Sequence, residues 1–441
     1  MPSVAPEAVA QRLAEAFGAD RVTQSSGNQF RFGEEDTRVI AYPHNIEELS
    51  AMMKLAHAES WRVAPAGAGT WLEMGNAIVQ FHVIVSTAKM ARVLEYEPAD
   101  LTCSVEAGVS LRDFNTQAAE HNQFLPLDPF GDERSTIGAT VATASYGPLR
   151  AGYGTPRDWL VGCRVVHADG TITSAGGKVV KNVAGYDLCK LYTGSFGTLV
   201  VLAELNFKMR ALPQADATQV FYADDAAALC ALTARLFDSD LQPAALELLS
   251  PQTGLPIDEK RFALVLRYVT EEQETVAWQT GEAARLGNGM ANTVLSSTDA
   301  STFWHAYYTS ETSDERCFSL RAAALPTDLG KLIETAQRLM PTAMLRAHAA
   351  NGVLRIHGSA DLLSELRAKH QFKLLIELRE FAKQNAKQSG GQMVILRAPD
   401  ELKKQLDVWG DAGATMALMQ GLKKQYDPHN RLNFGRFVAG L

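Results

Sequence analysis

Ser135–Asp158 reads S-T-I-G-A-T-V-A-T-A-S-Y-G-P-L-R-A-G-Y-G-T-P-R-D, and the interpretation of the whole chain turns on it. Small, polar and glycine residues dominate the stretch, although 46% of the chain is apolar. A folded protein gains little from so long a run without large apolar side chains. The run makes sense where a bulky ligand supplies the missing packing and the backbone must come close to it. It is read here as one wall of a ligand site that the rest of the chain completes or covers.

Two further glycine-rich loops belong to the same region. Upstream, Thr37–Tyr42 is strand-like, Asn45 is placed to cap a helix running to about Glu59 with Glu48 three residues on, and Arg62–Pro65 is a second strand. Pro65–Thr70 (P-A-G-A-G-T) follows at once. It is not a nicotinamide fingerprint, because Leu72 stands where the third glycine of G-x-G-x-x-G belongs, and no G-K-[ST] follows to make it a phosphate loop of the Walker type. What remains is a tight turn presenting consecutive N–H groups, which binds an anion without lysine; the plain alternative is an ordinary glycine turn between strands. Downstream, Asp169–Gly170 joins the strands Leu160–Ala168 and Thr171–Ala175 as a hairpin. Then come Gly176–Asp187, the short helix Leu188–Thr193, Gly194–Thr198 and the strand Leu199–Met209. Several such loops joined by short strands suit a long ligand with an anionic centre and two ring systems. Flavin adenine dinucleotide is such a ligand.

Composition narrows the alternatives. With 50 acidic against 42 basic side chains the formal charge is −8, which argues against a nucleic-acid binder. Cys103, Cys163, Cys189, Cys230 and Cys317 contain no C-x-x-C pair, so neither an iron–sulfur cluster nor structural zinc is expected, and no metal site is assigned. The scattered cysteines suit a reducing, cytoplasmic compartment. The N-terminus lacks the pattern of a signal peptide, and no run approaches ~18 apolar residues, so attachment to the inner membrane face is left only as a peripheral contact through a complex.

Val4–Phe17 reads as an amphipathic helix, Ala77–Ser86 as a strand, Leu94–Val105 as two strands around Pro98 and Asp100, and Ser110 as the cap of a helix to about Asn122. From about Ala215 glycine thins out and helices alternate with strands. The strands are Gln219–Tyr222, Ala244–Leu249, Phe262–Val269, Thr293–Ser297, Cys317–Ala323, Thr342–His348, Gly352–His357 and Gln392–Arg397. The helices are Asp225–Phe237, Glu271–Leu286, Thr327–Leu339 and one long helix Leu362–Asn385, with Met416–Gln425 near the end. This is an α+β pattern with an antiparallel sheet.

Taken together, Pro65–Thr70, I-G-A-T-V-A-T (Ile137–Thr143), R-A-G-Y-G-T-P-R-D (Arg150–Asp158), K-N-V-A-G-Y-D-L (Lys181–Leu188) and G-S-F-G-T-L (Gly194–Leu199) resemble the vanillyl-alcohol-oxidase, or PCMH-type, superfamily of FAD-binding domains. Within it they look like the FAD-binding E-subunit family of bacterial glycolate oxidases. The resemblance covers Arg38–Met209 and returns at D-P-H-N-R-L-N-F-G-R (Asp427–Arg436). It implies an α+β chain: a PCMH-type FAD domain of two α/β subdomains (1–213), an antiparallel α+β cap (214–415), and a C-terminal helix and tail (416–441) that return to the FAD site. By the same resemblance, Pro65, Gly67, Ala68, Gly69 and Thr70 would hold the pyrophosphate, with Ser135, Thr136, Gly138, Ala139 and Thr140 on its other side. Thr143, Ser145, Gly147, Arg150 and Gly152 would continue towards the flavin. Asp187, Leu188, Gly194, Ser195, Gly197 and Val200 would close the site, and Asn433 and Arg436 would fold back on it. Arg150 and Asp158 read equally well as a salt bridge pinning the loop.

Departures from the family pattern carry information. Thr70 occupies the place where members with covalent flavin carry histidine, so non-covalent FAD is expected. Phe434 replaces a proline of the tail. Related 2-hydroxyacid dehydrogenases carry two metal-binding histidines in H-x-G-D-G-N-x-H. Here the run is H-A-A-N-G-V-L-R (His348–Arg355), then His357, and Arg355 stands in the second histidine's place. A guanidinium there would repel a cation, though it can clamp a carboxylate. The blander interpretation leaves all three residues as remnants on a hairpin. No catalytic residue is assigned; His305, Tyr307, Tyr308 and Arg321 are the other clustered polar residues of that half.

The resemblance thus implies an FAD-dependent oxidoreductase subunit of a glycolate, or other small 2-hydroxyacid, oxidase complex that forms glyoxylate. Its partners would be a homologous FAD subunit and an iron–sulfur subunit. A self-sufficient dehydrogenase of the D-lactate type, or a non-catalytic structural subunit, remains as an alternative.

Overall fold

The computed structural model describes residues 5–25, 30, 38–77, 81–131, 134–177, 186–310, 316–368, 373–385 and 392–441. Two compact units divide the chain: 1–146, 155–212 and 400–441 form one, 147–154 and 213–399 the other.

The first unit begins with α1 (Pro6–Phe17), β1 (Val22–Ser25), β2 (Arg38–Ala41), α2 (Ile46–Ala58), β3 (Val63–Ala66) and β4 (Val83–Ser86). Asn45 caps α2, its side chain accepting from Glu48 N at 2.8 Å. Glu48 does not close the capping box; it turns to His44 N at 3.0 Å and to Arg21. Among the described residues the sheet order is β1-β2-β4-β3, with β4 parallel to both β2 and β3. Successive residues face opposite sides. Val39, Ala41, Val63, Val83 and Val85 pack on Val9 and Leu13 of α1 and Leu49, Met52 and Met53 of α2. Ile40, Ala64 and Ile84 instead pack on Phe30 and Leu72. Ala77–Ser86 was expected as one strand; β4 starts only at Val83, and 78–80 lie outside the described residues.

A second, antiparallel sheet runs β5-β6-β10-β8-β9. Its strands are β5 (Val93–Glu97), β6 (Thr102–Glu106), β8 (Leu160–Val166), β9 (Ile172–Gly176) and β10 (Val201–Lys208), and a ribbon pairs β7 (Gln123–Phe124) with β11 (Arg210–Ala211). The expected hairpin joins β8 to β9: Gly170 takes φ +85° and Asp169 Oδ1 accepts from Thr171 N at 2.8 Å. Ser110 caps α3 (Leu111–Ala119). The opening stretch is not a continuous loop. It holds α4 (Ile137–Thr143), α5 (Arg150–Tyr153) in the second unit, and α6 (Pro156–Trp159), followed later by α7 (Leu188–Tyr192). Asp158 spends its carboxylate on the α6 capping box, accepting from Thr155 N and Oγ1, both at 2.8 Å.

The second unit is one antiparallel sheet, eight-stranded among the described residues. Its strands are β12 (Ala215–Ala223), β13 (Ala245–Leu249), β14 (Phe262–Thr270), β15 (Asn292–Val294), β16 (Arg316–Ala323), β17 (Met344–His348), β18 (Val353–Ser359) and β19 (Met393–Arg397), ordered β15-β12-β14-β13-β17-β18-β16-β19. Its helices are α8 (Ala226–Phe237, capped by Asp225), α9 (Gln273–Gly287), α10 (Ser297–Thr309), α11 (Leu329–Leu339), α12 (Ala360–Ala368) and α13 (Lys373–Asn385). The helix expected over Leu362–Asn385 is described as α12 and α13, with 369–372 between them outside the described residues. One expectation fails here: α10 was not anticipated at all. Ser296 caps α10 through Asp299 N, and Phe303, Trp304 and Tyr307 form its buried stripe. The chain then returns to the first unit with α14 (Asp400–Gln405) and α15 (Met416–Tyr426). No helix among the described residues is long and apolar enough to cross a membrane.

Candidate functional site

β3 delivers the chain into Gly67–Thr70 beside a cleft of about 640 Å³, open mouth included. Ser86 Oγ donates to Gly67 O at 2.7 Å and Thr87 Oγ1 to Ala66 O at 3.3 Å, holding the turn from below. Only glycine fits at 67, since a Cβ there would lie 2.1 Å from Thr136 Oγ1. Gly69 takes φ +86°. Among the described residues, no protein acceptor takes the N–H of Ala68, Gly69, Thr70 or Trp71. Thr70 Oγ1 is buried with no hydrogen-bond partner. Four consecutive open amides and an orphaned hydroxyl are what an anion-binding nest requires.

The facing wall is α4. Its first N–H groups are already used: Ile137 N donates to Val109 O and Gly138 N to Ala107 O, both at 2.9 Å, and Ala139 N to Thr136 Oγ1 at 3.2 Å. This end of the helix therefore bonds to the turn that follows β6 rather than offering amides, and Ala139, Ala142 and Thr143 face the cleft. The third wall docks on α4 through Gly194 N to Val141 O at 2.9 Å and Phe196 N to Ala142 O at 2.8 Å. It presents Phe196, Gly197 (φ +64°), Val200 and Leu202.

The tail closes the cleft. Val63 N donates to Arg431 O at 2.8 Å and Asn433 N to Val63 O at 2.9 Å, laying Leu432 parallel to β3. The Asn433 amide donates to Phe196 O, and the Arg436 guanidinium donates to Leu72 O and Met74 O. Burial pushes Arg436 down to about 10, so it stays a cation at neutral pH. Phe434, in the place of the expected proline, lies under the Arg62 guanidinium at 3.7 Å.

The structure thus brings Pro65, Gly67, Gly69, Thr70, Gly138, Ala139, Thr143, Gly197, Val200, Asn433 and Arg436 to one cleft. Ser135, Thr136 and Thr140 do not line it. Ser135 Oγ accepts from Trp71 Nε1 at 3.0 Å, and Thr136 and Thr140 fix α4. Ala68 adds its amide to the turn, and Gly194 and Ser195 shape the loop, without lining the cleft. Ser145 Oγ is buried without a partner beyond the lining. Asp187 caps α7 through Lys190 N, and Leu188 opens that helix. Lys181–Gly185 lie outside the described residues. Gly147, Arg150 and Gly152 belong to the second unit, where Gly152 N donates to Ala244 O at 3.1 Å. Sequence reasoning missed Trp71, Leu72, Ala142 and Phe196, which also line the cleft.

Residues 37–176 match the family described as FAD binding domain. This chain carries an FAD-binding domain. Over 259 residues it is 29% identical to glycolate oxidase subunit GlcD of Bacillus subtilis, which covers 57% of this chain but only 55% of that protein. Over 437 residues it is 25% identical to a D-lactate dehydrogenase of Anaerostipes hadrus, covering 93% and 91% of the two chains. The 4-ethylphenol oxidase of Gulosibacter chungangensis superposes with TM-score 0.72 at 14% identity over 98% of this chain and 97% of its own, which establishes the fold. The residues fit FAD. Open amides suit an anionic group, and apolar side chains suit ring systems. Among the described residues that line the cleft there is no histidine, cysteine, tyrosine or aspartate.

The second unit holds its own buried polar group. Tyr307 OH donates to Glu247 Oε2 at 2.5 Å and His348 Nδ1 meets Glu247 Oε1 at 2.8 Å. Arg346 Nη1 donates to Tyr307 O at 3.0 Å. Arg355 lies in register between Arg346 and Arg321, and Ser319 Oγ bonds His357 Nδ1 at 2.9 Å. His305 and Tyr308 sit on α10 with Tyr307. Such a group orients an imidazole through its carboxylate and concentrates guanidinium charge, which suits an anion better than a metal. Glu247 and Arg346 were missed; a lone acid inside A-L-E-L-L (Ala245–Leu249) was the available signal.

Proposed function

We propose that this chain is the FAD-bearing subunit of a complex that oxidises a small 2-hydroxyacid, glycolate to glyoxylate being the first candidate, and passes electrons to a partner iron–sulfur subunit. The observation that carries this reading is the cleft of the first unit: a turn of open amides, an orphaned Thr70 hydroxyl and a buried cationic Arg436 around apolar walls. Likeness to a glycolate oxidase subunit and to a D-lactate dehydrogenase supports the substrate class. Gly67–Trp71 would hold the pyrophosphate by backbone dipoles, while Asn433, Arg436 and Phe196 would fix the remaining wall. Bound FAD would supply the two-electron acceptor for a C–H bond beside a hydroxyl. A homologous FAD subunit is the expected site of turnover, because Arg355 and its arginine neighbours disfavour a metal-assisted substrate site in this chain.

A self-sufficient D-lactate-type dehydrogenase is the second reading, favoured by the D-lactate dehydrogenase likeness along 93% of the chain. Anaerobic addition of glycolate or D-lactate to the purified, FAD-loaded chain separates the two. Bleaching of the flavin absorbance supports self-sufficiency. Bleaching only in the co-purified complex, with an iron–sulfur protein among its chains, supports the subunit reading. Absence of bleaching in both, with FAD bound, would overturn the proposed activity.

A further inference from the structure

Lys423, on α15, is only 3% exposed. All three hydrogens of its ammonium have acceptors: Asp427 Oδ2 at 2.7 Å, Thr198 O at 2.8 Å and Leu432 O at 2.9 Å. Asp427 answers with its own bonds, Oδ1 accepting from Arg431 N at 2.9 Å and Oδ2 from Leu432 N at 2.8 Å. The acceptors belong to two walls of the cleft. Thr198 follows Gly197 and precedes Val200; Leu432 precedes Asn433; Gly197, Val200 and Asn433 all line it. The Asn433 amide makes the same crossing one residue further on, to Phe196 O.

Burying an ion pair this completely adds little net stability, since desolvation offsets the Coulomb attraction. Burial does push the Lys423 ammonium below its ordinary value, with Asp427 acting against it. An apolar residue would fill the space on α15 equally well. What it would not supply is a fixed donor shared by carbonyls of two walls.

We propose that Lys423 is a positioning residue for FAD: by tying the Phe196–Val200 loop to the Leu432–Arg436 tail, it sets the separation of two walls of the cleft. The inference rests on the FAD reading of that cleft. It assigns to a helix outside the sequence motifs the task of keeping Gly197 and Asn433 in register.

Lys423→Met alone strands the Asp427 carboxylate in a buried site, so stability and positioning would fall together. Lys423→Met with Asp427→Asn removes both charges and separates them. Each variant, as the full chain without flavin, is melted, then titrated with FAD by flavin fluorescence; the visible circular dichroism of the bound flavin is recorded. The double variant is expected to melt close to wild type, to bind FAD about tenfold or more weakly, the equivalent of one lost charged hydrogen bond, and to show an altered dichroic band. Should the double variant not fold, Lys423→Gln, which keeps two donors, is compared in the same way. Wild-type affinity and an unchanged dichroic band in a folded variant would overturn the positioning role alone. A folded wild-type chain that takes up no FAD would overturn the FAD reading and this inference with it.

Discussion

Replacing Gly67 by alanine would set a Cβ 2.1 Å from Thr136 Oγ1 and 3.1 Å from both Cβ and Cγ2 of Thr136. Thr136 cannot step aside freely. Its hydroxyl caps α4 by accepting from Ala139 N at 3.2 Å, and its carbonyl accepts from Thr140 N at 3.0 Å. Relief of the clash therefore costs the cap, about 1 kcal/mol, plus overpacking of about 1–3 kcal/mol. The sum is about 2–4 kcal/mol if the turn yields no further. In a unit of this size each kcal/mol lowers the melting temperature by about 2–4 °C, so Gly67→Ala should melt roughly 5–15 °C early. The same shift moves Ala68 and Gly69 and should weaken FAD binding. Thr136→Ala alone should cost about 1 kcal/mol, the cap. Combined with Gly67→Ala it removes the Oγ1 that clashes, so the double variant should be more stable than Gly67→Ala alone. Thermal denaturation of the three variants without flavin measures this coupling. Additive losses, or a Gly67→Ala protein as stable as wild type, would refute the close approach of turn and helix.

Thr70→Val keeps the shape of the side chain and deletes a hydroxyl that is buried without a partner; the flavin-free protein should be no less stable, while FAD affinity falls by about threefold to tenfold, the value of one neutral hydrogen bond. Fluorescence titration and a melt check both halves. His82 Nδ1 accepts from Arg62 N at 2.9 Å, and burial first, then Arg62 and Arg431, holds its pKa below the ordinary 6.5. Its folded pKa is depressed, so the unfolded chain binds the proton first, and stability should decline as pH falls below about 6.5. His82→Asn, which retains an acceptor and does not titrate, should flatten that part of the melting temperature–pH curve. Glu247→Ala leaves Tyr307 OH and His348 Nδ1 without their shared carboxylate in a buried site and should cost about 3–5 kcal/mol, read by denaturant unfolding, whereas exposed Glu274→Ala should cost almost nothing.

Much of this architecture can be read from the sequence where a local bond decides the conformation. Asn45, Ser110 and Asp225 announce their helices by accepting from the third residue on, and Asp169–Gly170 announces its hairpin. The glycine loops point to the cleft because close backbone approach excludes other residues. What escapes is set by tertiary contacts. α4 hides in a glycine- and threonine-rich run because bonds from Ile137 and Gly138 to Val109 and Ala107 secure its first turn. Ser135 and Thr140 have the composition of ligand-binding residues, yet their hydroxyls serve Trp71 and the α4 backbone. Trp71 and Phe196 read as ordinary apolar residues until the turn directions place them in the lining. Cys163 and Cys189 look scattered in the chain, but strand β8 and helix α7 bring their sulfurs to 3.9 Å. The buried group around Glu247 depends on strand register, which one sequence does not specify across so many strands.

The central claim is that FAD is held without a covalent bond in the cleft of the first unit, chiefly by the open amides of Ala68–Trp71. Equilibrium titration of the folded, flavin-free chain with FAD, followed by acid precipitation, tests it directly. Saturable binding of one FAD per chain at micromolar concentration or below, with all of the flavin recovered as unmodified FAD in the supernatant, is the predicted result. A folded chain that binds no FAD under these conditions, or one that retains flavin in the precipitated protein, would contradict it.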